Sequence, residues 1–191
     1  MSIKKIVVIG PESTGKSTLC EQLANHYNTG WAKEYAREYL LKNGSTYTFD
    51  QLLDIAKGQL LLEDECLQKA QGTRDKEQEN GSQLSTVNYQ PIFIDTDMYV
   101  MKIWNEFVFN ACHRWILNQI ANRKYDLYLL CNVDLPWIKD ELREYPDLAS
   151  REKLYHFYKD AMVNQSTPWI NISGNADKRL QTAISAINKI L

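Results

Sequence analysis

Apolar residues occur along this chain in two patterns, short continuous runs and stripes spaced three or four residues apart. Residues 3–9 (IKKIVVI), 91–94 (PIFI), 127–131 (LYLLC) and 169–172 (WINI) are runs of the first kind and predict strands of a parallel sheet covered on both faces. A further short strand is expected near Thr29 to Trp31. Helical spacing predicts helices over 16–27, 33–42, about 49–69, 97–109, 112–122, 136–143, 150–164 and from 176 to 191. In the longest of these, Leu52, Leu53, Ile55, Ala56, Leu60 and Leu61 supply the stripe, and Thr48 is placed to cap its start. Asn43-Gly44 is a fitting stop for the helix before it. Residues 71–90 (QGTRDKEQENGSQLSTVNYQ) are polar, contain two glycines and read as a mobile surface insertion. Strands separated by helices build βαβ units with right-handed crossovers, so the fold class is α/β.

Composition narrows the picture. The 191 residues suit one domain, 1–191, with a small lid expected at 140–151. A net charge of −2 argues against a general nucleic-acid surface. No apolar run approaches the roughly 18 residues of a membrane span. The first strand begins almost at once, leaving no room for a signal peptide, so a cytoplasmic location without membrane attachment is expected. Cys20, Cys66, Cys112 and Cys131 are far apart, without metal-ligand spacing, and read as reduced packing thiols. His26, His113 and His156 are isolated and read as surface or packing residues.

Between the first strand and the first helix stands Gly10-Pro11-Glu12-Ser13-Thr14-Gly15-Lys16-Ser17, a full match to G-x-x-x-x-G-K-[ST] in its confirming context. The glycines permit a tight turn that aims backbone N–H groups inward at phosphate oxygens. The helix start adds its positive dipole end. Lys16 can reach the β- and γ-phosphates, the Ser17 hydroxyl can ligate Mg²⁺, and Thr18 is placed near the α-phosphate. Glu12, Ser13 and Thr14 complete the nucleotide-binding loop. Asp95 ends a buried strand where a magnesium-shell carboxylate belongs, and Asp97 reads either as an active-site acid or as a helix cap.

Two other segments carry chemistry. Trp31, Glu34, Tyr35 and Arg37 lie just beyond the second strand, where open α/β sheets bind ligands. Trp31 could stack on a flat ring, Glu34 could orient or deprotonate a hydroxyl, and Arg37 could hold a phosphate. The alternative is an amphipathic helix start with its aromatics in the core. Arg143 and Arg151 flank a charged link, where a mobile arginine could stabilise a transferring phosphoryl group or simply be solvated.

The segments GPESTGKSTL, WAKEYAREYL, FIDTDMYVMKIW and YDLYLLCNVDLPWIKDELR resemble, in order, the ribosylnicotinamide kinase domain of the NadR family over about residues 3–190. The phosphate loop is generic; the W-x-x-E-Y-x-R and D-T-D segments are more telling. The resemblance implies a P-loop three-layer fold with a five-stranded parallel sheet in order 2-3-1-4-5. It also implies transfer from ATP, with Mg²⁺, to nicotinamide riboside. By position, Trp31 would stack on the nicotinamide, Glu34 would sit near the ribose 5′-hydroxyl, Asp95 and Asp97 near magnesium and substrate, and Arg143 in the lid. The chain has no room for the family's adenylyltransferase domain, so its second reaction is expected to be absent. Glu65 or a leucine stands where the family closes the ring sandwich with a second aromatic. A regulatory nucleotide-binding module or a kinase of another nucleoside are the competing readings. Cys131-Asn132-Val133-Asp134 lacks the lysine of a guanine-reading N-K-x-D, which favours ATP or loose base choice. Whether Glu34 or Asp97 is the base stays open, and a homo-oligomer is compatible with the pattern.

Overall fold

The computed structural model describes residues 3–79 and 91–191. Five strands, β1 (Lys5–Ile9), β2 (Trp31–Ala32), β3 (Ile92–Asp95), β4 (Leu127–Cys131) and β5 (Trp169–Ile172), form one parallel sheet in the order β2-β3-β1-β4-β5. Among the described residues, seven helices connect or flank them: α1 (Lys16–His26), α2 (Tyr35–Asn43), α3 (Phe49–Glu79), α4 (Met98–Phe109), α5 (Arg114–Asn122), α6 (Leu148–Val163) and α7 (Ala176–Ile187). The order is the one that the family resemblance implies.

Alternation along the strands explains the layers. Ile6, Val8, Phe93, Leu127, Leu129, Cys131 and Ile172 face Leu19, Leu23, Ala183 and Ile187, so α1 and α7 cover one side. Val7, Ile9, Ile92, Ile94, Tyr128 and Leu130 face Val100, Ile103, Leu154, Tyr158 and Met162, so α4 and α6 cover the other. The β1 and β3 side chains from Ile6 to Ile9 and from Ile92 to Ile94 are fully buried, each such residue contributing about 1.5–3 kcal/mol by burial. A second apolar body joins α2, α3, α4 and α5 through Leu40, Leu52, Ile55, Met101 and Ile116.

Two expectations change. The helix expected at 136–143 is an irregular loop. Its backbone is used elsewhere: the Ile138 N–H donates to Ser13 Oγ at 3.0 Å, and Asp140 Oδ1 takes the Leu142 N–H at 3.1 Å. Residues 71–79 of the expected insertion instead continue α3 to Glu79. They lack an apolar stripe but are rich in good helix formers such as Gln, Glu, Lys and Arg, which suffice to prolong a helix already nucleated. The remainder of that insertion, 80–90, lies outside the described residues. The start of α3 is a capping box: Thr48 Oγ1 accepts from Gln51 N–H, and Gln51 Oε1 accepts from Thr48 N–H.

Register positions the site. Val8 pairs with Asp95 and Ile9 with Leu130, so β1, β3 and β4 end together and the loop after β1 emerges beside Asp95. No helix among the described residues is long and apolar enough to cross a membrane.

Candidate active site

The turn after β1 is shaped by what cannot fit there. A Cβ on Gly10 would lie 2.7 Å from the Cys131 carbonyl oxygen, and Gly10 has φ 141°. Gly15 caps α1 with φ 75°, and Ser13 also holds a left-handed φ of 55°. These values curl residues 10–17 over the front of α1. The buried Thr14 hydroxyl donates to Pro11 O at 2.7 Å, and the Lys16 ammonium donates to the same carbonyl at 3.0 Å.

Behind the loop stands Arg179 of α7, 4% exposed. It donates to Thr14 O and Asn132 O, both at 3.0 Å, to Gly174 O at 2.7 Å, and to Asp134. Asp134 also accepts the Gly174 N–H. Arg179 therefore braces the phosphate loop from the same side of the sheet as α1. The sequence reading missed it; the available signal was a charged residue in register with Ala183 and Ile187 on the buried stripe of α7.

Asp95 is fully buried, and among the described residues neither carboxylate oxygen meets a donor at hydrogen-bonding geometry. Burial first, then the nearby Glu34 carboxylate, pushes its pKa up to about 7, while Lys16 and the Ser17 hydroxyl pull it down. An orphaned carboxylate beside a serine hydroxyl at a phosphate loop fits a hard cation with oxygen ligands. No cluster of three or more His, Cys, Asp or Glu side chains that could hold a metal occurs among the described residues.

Thr96 follows with φ 79°, a costly conformation for a β-branched residue. It turns Asp97 away from Asp95. Asp97 accepts the Tyr99 and Val100 N–H groups as the α4 cap and the Tyr128 hydroxyl at 2.8 Å. Burial pushes its pKa up to about 7, against these three bonds.

Two cavities open at the strand ends. One, of about 410 Å³, runs over residues 10–18 to an apolar wall of Val100, Trp104, Phe107, Leu154 and Tyr158 beneath the loop carrying Arg143. The other, an open groove of about 830 Å³, lies between Trp31 and the α3 residues Leu62, Glu65, Cys66 and Lys69. Both are lined by Ser17, Glu34 and Arg37, so these residues form a seam between them. Glu34 is the N-cap of α2 but makes no side-chain capping bond, leaving its carboxylate for the seam.

The loop over the first cavity is tied down at several points. Glu12 Oε2 accepts the Glu144 and Tyr145 N–H groups at 3.0 and 3.2 Å, and burial raises the Glu12 pKa against these bonds. Arg143 donates to Ser13 Oγ at 3.4 Å and to Ile138 O. Arg37 pairs with Asp140 at 3.0 Å. Tyr47 donates to Glu144 and accepts from Trp104 Nε1.

The loop residues Gly10, Glu12, Ser13, Thr14, Gly15, Lys16, Ser17 and Thr18 therefore come together with Glu34, Arg37 and Arg143, while Trp31 and Asp95 line the adjoining groove. Three expected residues do not reach either cavity. Tyr35 lies against Gly58 of α3, whose built Cβ would meet its ring at 2.1 Å. Asp97 is consumed by its cap and Tyr128. Arg151 is 3% exposed and donates to Leu135 O at 3.2 Å; burial lowers its pKa.

A glycine-bounded loop joining β1 to α1, a cation and hydroxyl at its end, and a buried acid on the neighbouring strand define a P-loop nucleotide-binding domain. The chain belongs to the AAA domain family (AAA_28), which matches residues 5–179. It is similar to the trifunctional NAD biosynthesis/regulator protein NadR of Escherichia coli K12, with 23% identity over 194 aligned residues, 99% of this chain and 43% of that protein. The Salmonella typhimurium NadR matches equally, so the chain spans less than half the length of these relatives. A crystal structure of NadR protein in complex with NR superposes with a TM-score of 0.70 at 21% identity, over 98% of this chain and 49% of that one. Thymidylate kinase from Ehrlichia chaffeensis superposes with a TM-score of 0.65 at 13% identity, over 98% and 100%. These likenesses establish the fold.

Proposed function

We propose that this chain is an ATP-dependent nucleoside kinase that phosphorylates the 5′-hydroxyl of nicotinamide riboside to give nicotinamide mononucleotide. The observation that carries it is the seam: a phosphate-loop cavity and an aromatic-edged groove share Ser17, Glu34 and Arg37. Similarity to NadR supports the acceptor, and thymidylate kinase and NadR both share the fold.

The triphosphate lies along residues 10–18, its oxygens facing the loop amides and the α1 N-terminus. Lys16 leaves Pro11 O for the β- and γ-phosphates. Ser17 and Asp95 would hold Mg²⁺, which when bound offsets phosphate charge. In the groove the nicotinamide ring stacks on Trp31. The Lys33 ammonium lies over the Trp31 ring, 5.7 Å from its centroid, a cation–π position that the pyridinium cation would take over. Glu34 orients the 5′-hydroxyl and accepts its proton. The hydroxyl oxygen attacks the γ-phosphorus in line, the bond to the β–γ bridging oxygen breaks, and ADP leaves. Arg143, already at Ser13, closes over the γ-phosphoryl oxygens, and the loop above excludes water that would otherwise accept the group. Asp134, at the place of a guanine-reading aspartate, is engaged by Arg179 and the Gly174 N–H, which supports ATP over GTP.

Incubating the protein with ATP, Mg²⁺ and, separately, nicotinamide riboside, nicotinic acid riboside, uridine and cytidine, with products read by mass, tests this. Phosphorylated nicotinamide riboside should dominate. No phosphorylated nucleoside from any of the four would remove the proposal.

A further inference from the structure

The ladder between β2 and β3 is short. Trp31 pairs with Phe93 and Ala32 with Ile94, and there it stops. The next residues of the two strands are Lys33 and Asp95, and Glu34 comes directly after. Nothing in the strand pairing holds Glu34 at a fixed distance from Asp95, although the two carboxylates are close enough to repel. Glu34 is itself the junction between strand and helix, where the chain changes direction.

Gln59 of α3 spans that place. It is 1% exposed and stands on the same buried stripe as Leu52, Ile55, Ala56 and Leu60. Its Oε1 accepts the Tyr35 N–H at 2.8 Å, and its Nε2 donates to Lys33 O and to Asp95 O, both at 3.2 Å. The orientation of the amide is forced, because one end faces a donor and the other faces two carbonyls. One side chain thus bridges Lys33 and Asp95 where the backbone ladder ends and binds the residues on both sides of Glu34.

We propose that Gln59 is a positioning residue for phosphoryl transfer, setting the Glu34 carboxylate against the acceptor hydroxyl by clamping the backbone before and after it to the end of β3. Gln59 touches neither cavity and acts only through Glu34 and the Asp95 main chain. The role rests on the kinase reading above. It accounts for a fully buried amide beside Leu52, Ile55, Ala56 and Leu60, and it explains why a two-residue edge strand suffices to carry a reacting group.

Gln59→Met keeps the length and helix preference of the side chain and removes all three bonds. The full chain carrying it should lose about 30-fold in kcat, as expected when a reacting group shifts by a fraction of an ångström. KM for ATP should change less than about threefold, since the phosphate loop is untouched. The Tyr35 amide should exchange with solvent faster than in the wild type, a readout independent of activity. In the background of Glu34→Gln, Gln59→Met should cost less than about threefold more, because its effect passes through the missing carboxylate. Should Gln59→Met fail to fold, Gln59→Glu keeps the acceptor for Tyr35 and loses the paired donors, and a drop in kcat of at least about tenfold is expected. A Gln59 variant with wild-type kcat, or losses that multiply fully with Glu34→Gln, overturns the role while leaving the kinase reading intact. A wild-type protein that phosphorylates no nucleoside overturns both.

Discussion

The phosphate loop and the roof above it face each other across one cavity, yet they are specified in different ways. Residues 10–18 take a shape fixed locally, by two glycines, a left-handed serine and the start of α1, and the brace from Arg179 only secures it. The roof, residues 135–146, has no regular structure and takes its shape from what it touches: Ser13, Glu12, Arg37 and Tyr47. The first region is a rigid receptor for phosphate. The second is held by hydrogen bonds at partly exposed sites, each of modest strength, and can be released one at a time. Chemistry that must bind tightly and then release product is served by that division.

Substitutions can sharpen or break the contrast. The largest loss is expected for Lys16→Ala, about 1,000-fold or more in kcat/KM, because the fixed ammonium serves the phosphates in every state. Glu34→Gln should follow, lowering kcat several hundred-fold by removing the proton acceptor, with calorimetric ATP affinity little changed; that is about what general-base catalysis supplies. Arg143→Ala, in the roof, should lower kcat about 100-fold and leave ATP affinity nearly intact. If Arg143→Ala instead abolished ATP binding, the roof would be part of the receptor and the contrast would fail. Trp31→Ala should raise the riboside KM about tenfold and leave the ATP KM unchanged, the size of one lost stacking contact.

The smallest effect concerns stability. The Asp95 pKa is raised to about 7 in the fold, chiefly by burial. An unfolded aspartate ionises near pH 4, so between about pH 4 and 7 the folded state binds more protons and its stability falls as pH rises. Asp95→Asn removes that contribution. Without nucleotide, its melting temperature should exceed the wild type's by a few degrees near pH 8, with the gap narrowing toward pH 5. A gap that widens on acidification would contradict the assignment of Asp95 as a carboxyl strained by burial.

The same division explains what the sequence could disclose. The strands and the phosphate loop were legible, because apolar runs and a fixed motif encode them over a few adjacent residues, whereas the strand order came only from the family resemblance. The direction of a side chain at an element boundary was not. Asp95 and Asp97 are two residues apart, and the left-handed Thr96 sends one toward Ser17 and the other under α4. Tyr35 was drawn off by the flat surface at Gly58, and Arg151 by Leu135 O. Residues 136–143 of the roof read as a helix because the partner of the Ile138 N–H, Ser13, is more than a hundred residues away. Gln59 and Arg179 could have been suspected, since each interrupts a buried apolar stripe, but their partners are tertiary.

The central claim is that the two cavities are donor and acceptor sites meeting at Ser17, Glu34 and Arg37. Calorimetry with a bisubstrate compound, adenosine joined through a polyphosphate to the 5′-oxygen of nicotinamide riboside, tests it most directly. The account predicts binding at least about 100-fold tighter than ATP or the riboside alone, as linked ligands give when both sites can be reached together, and loss of most of that gain in Trp31→Ala. Binding no tighter than ATP, or a gain indifferent to Trp31, would contradict it.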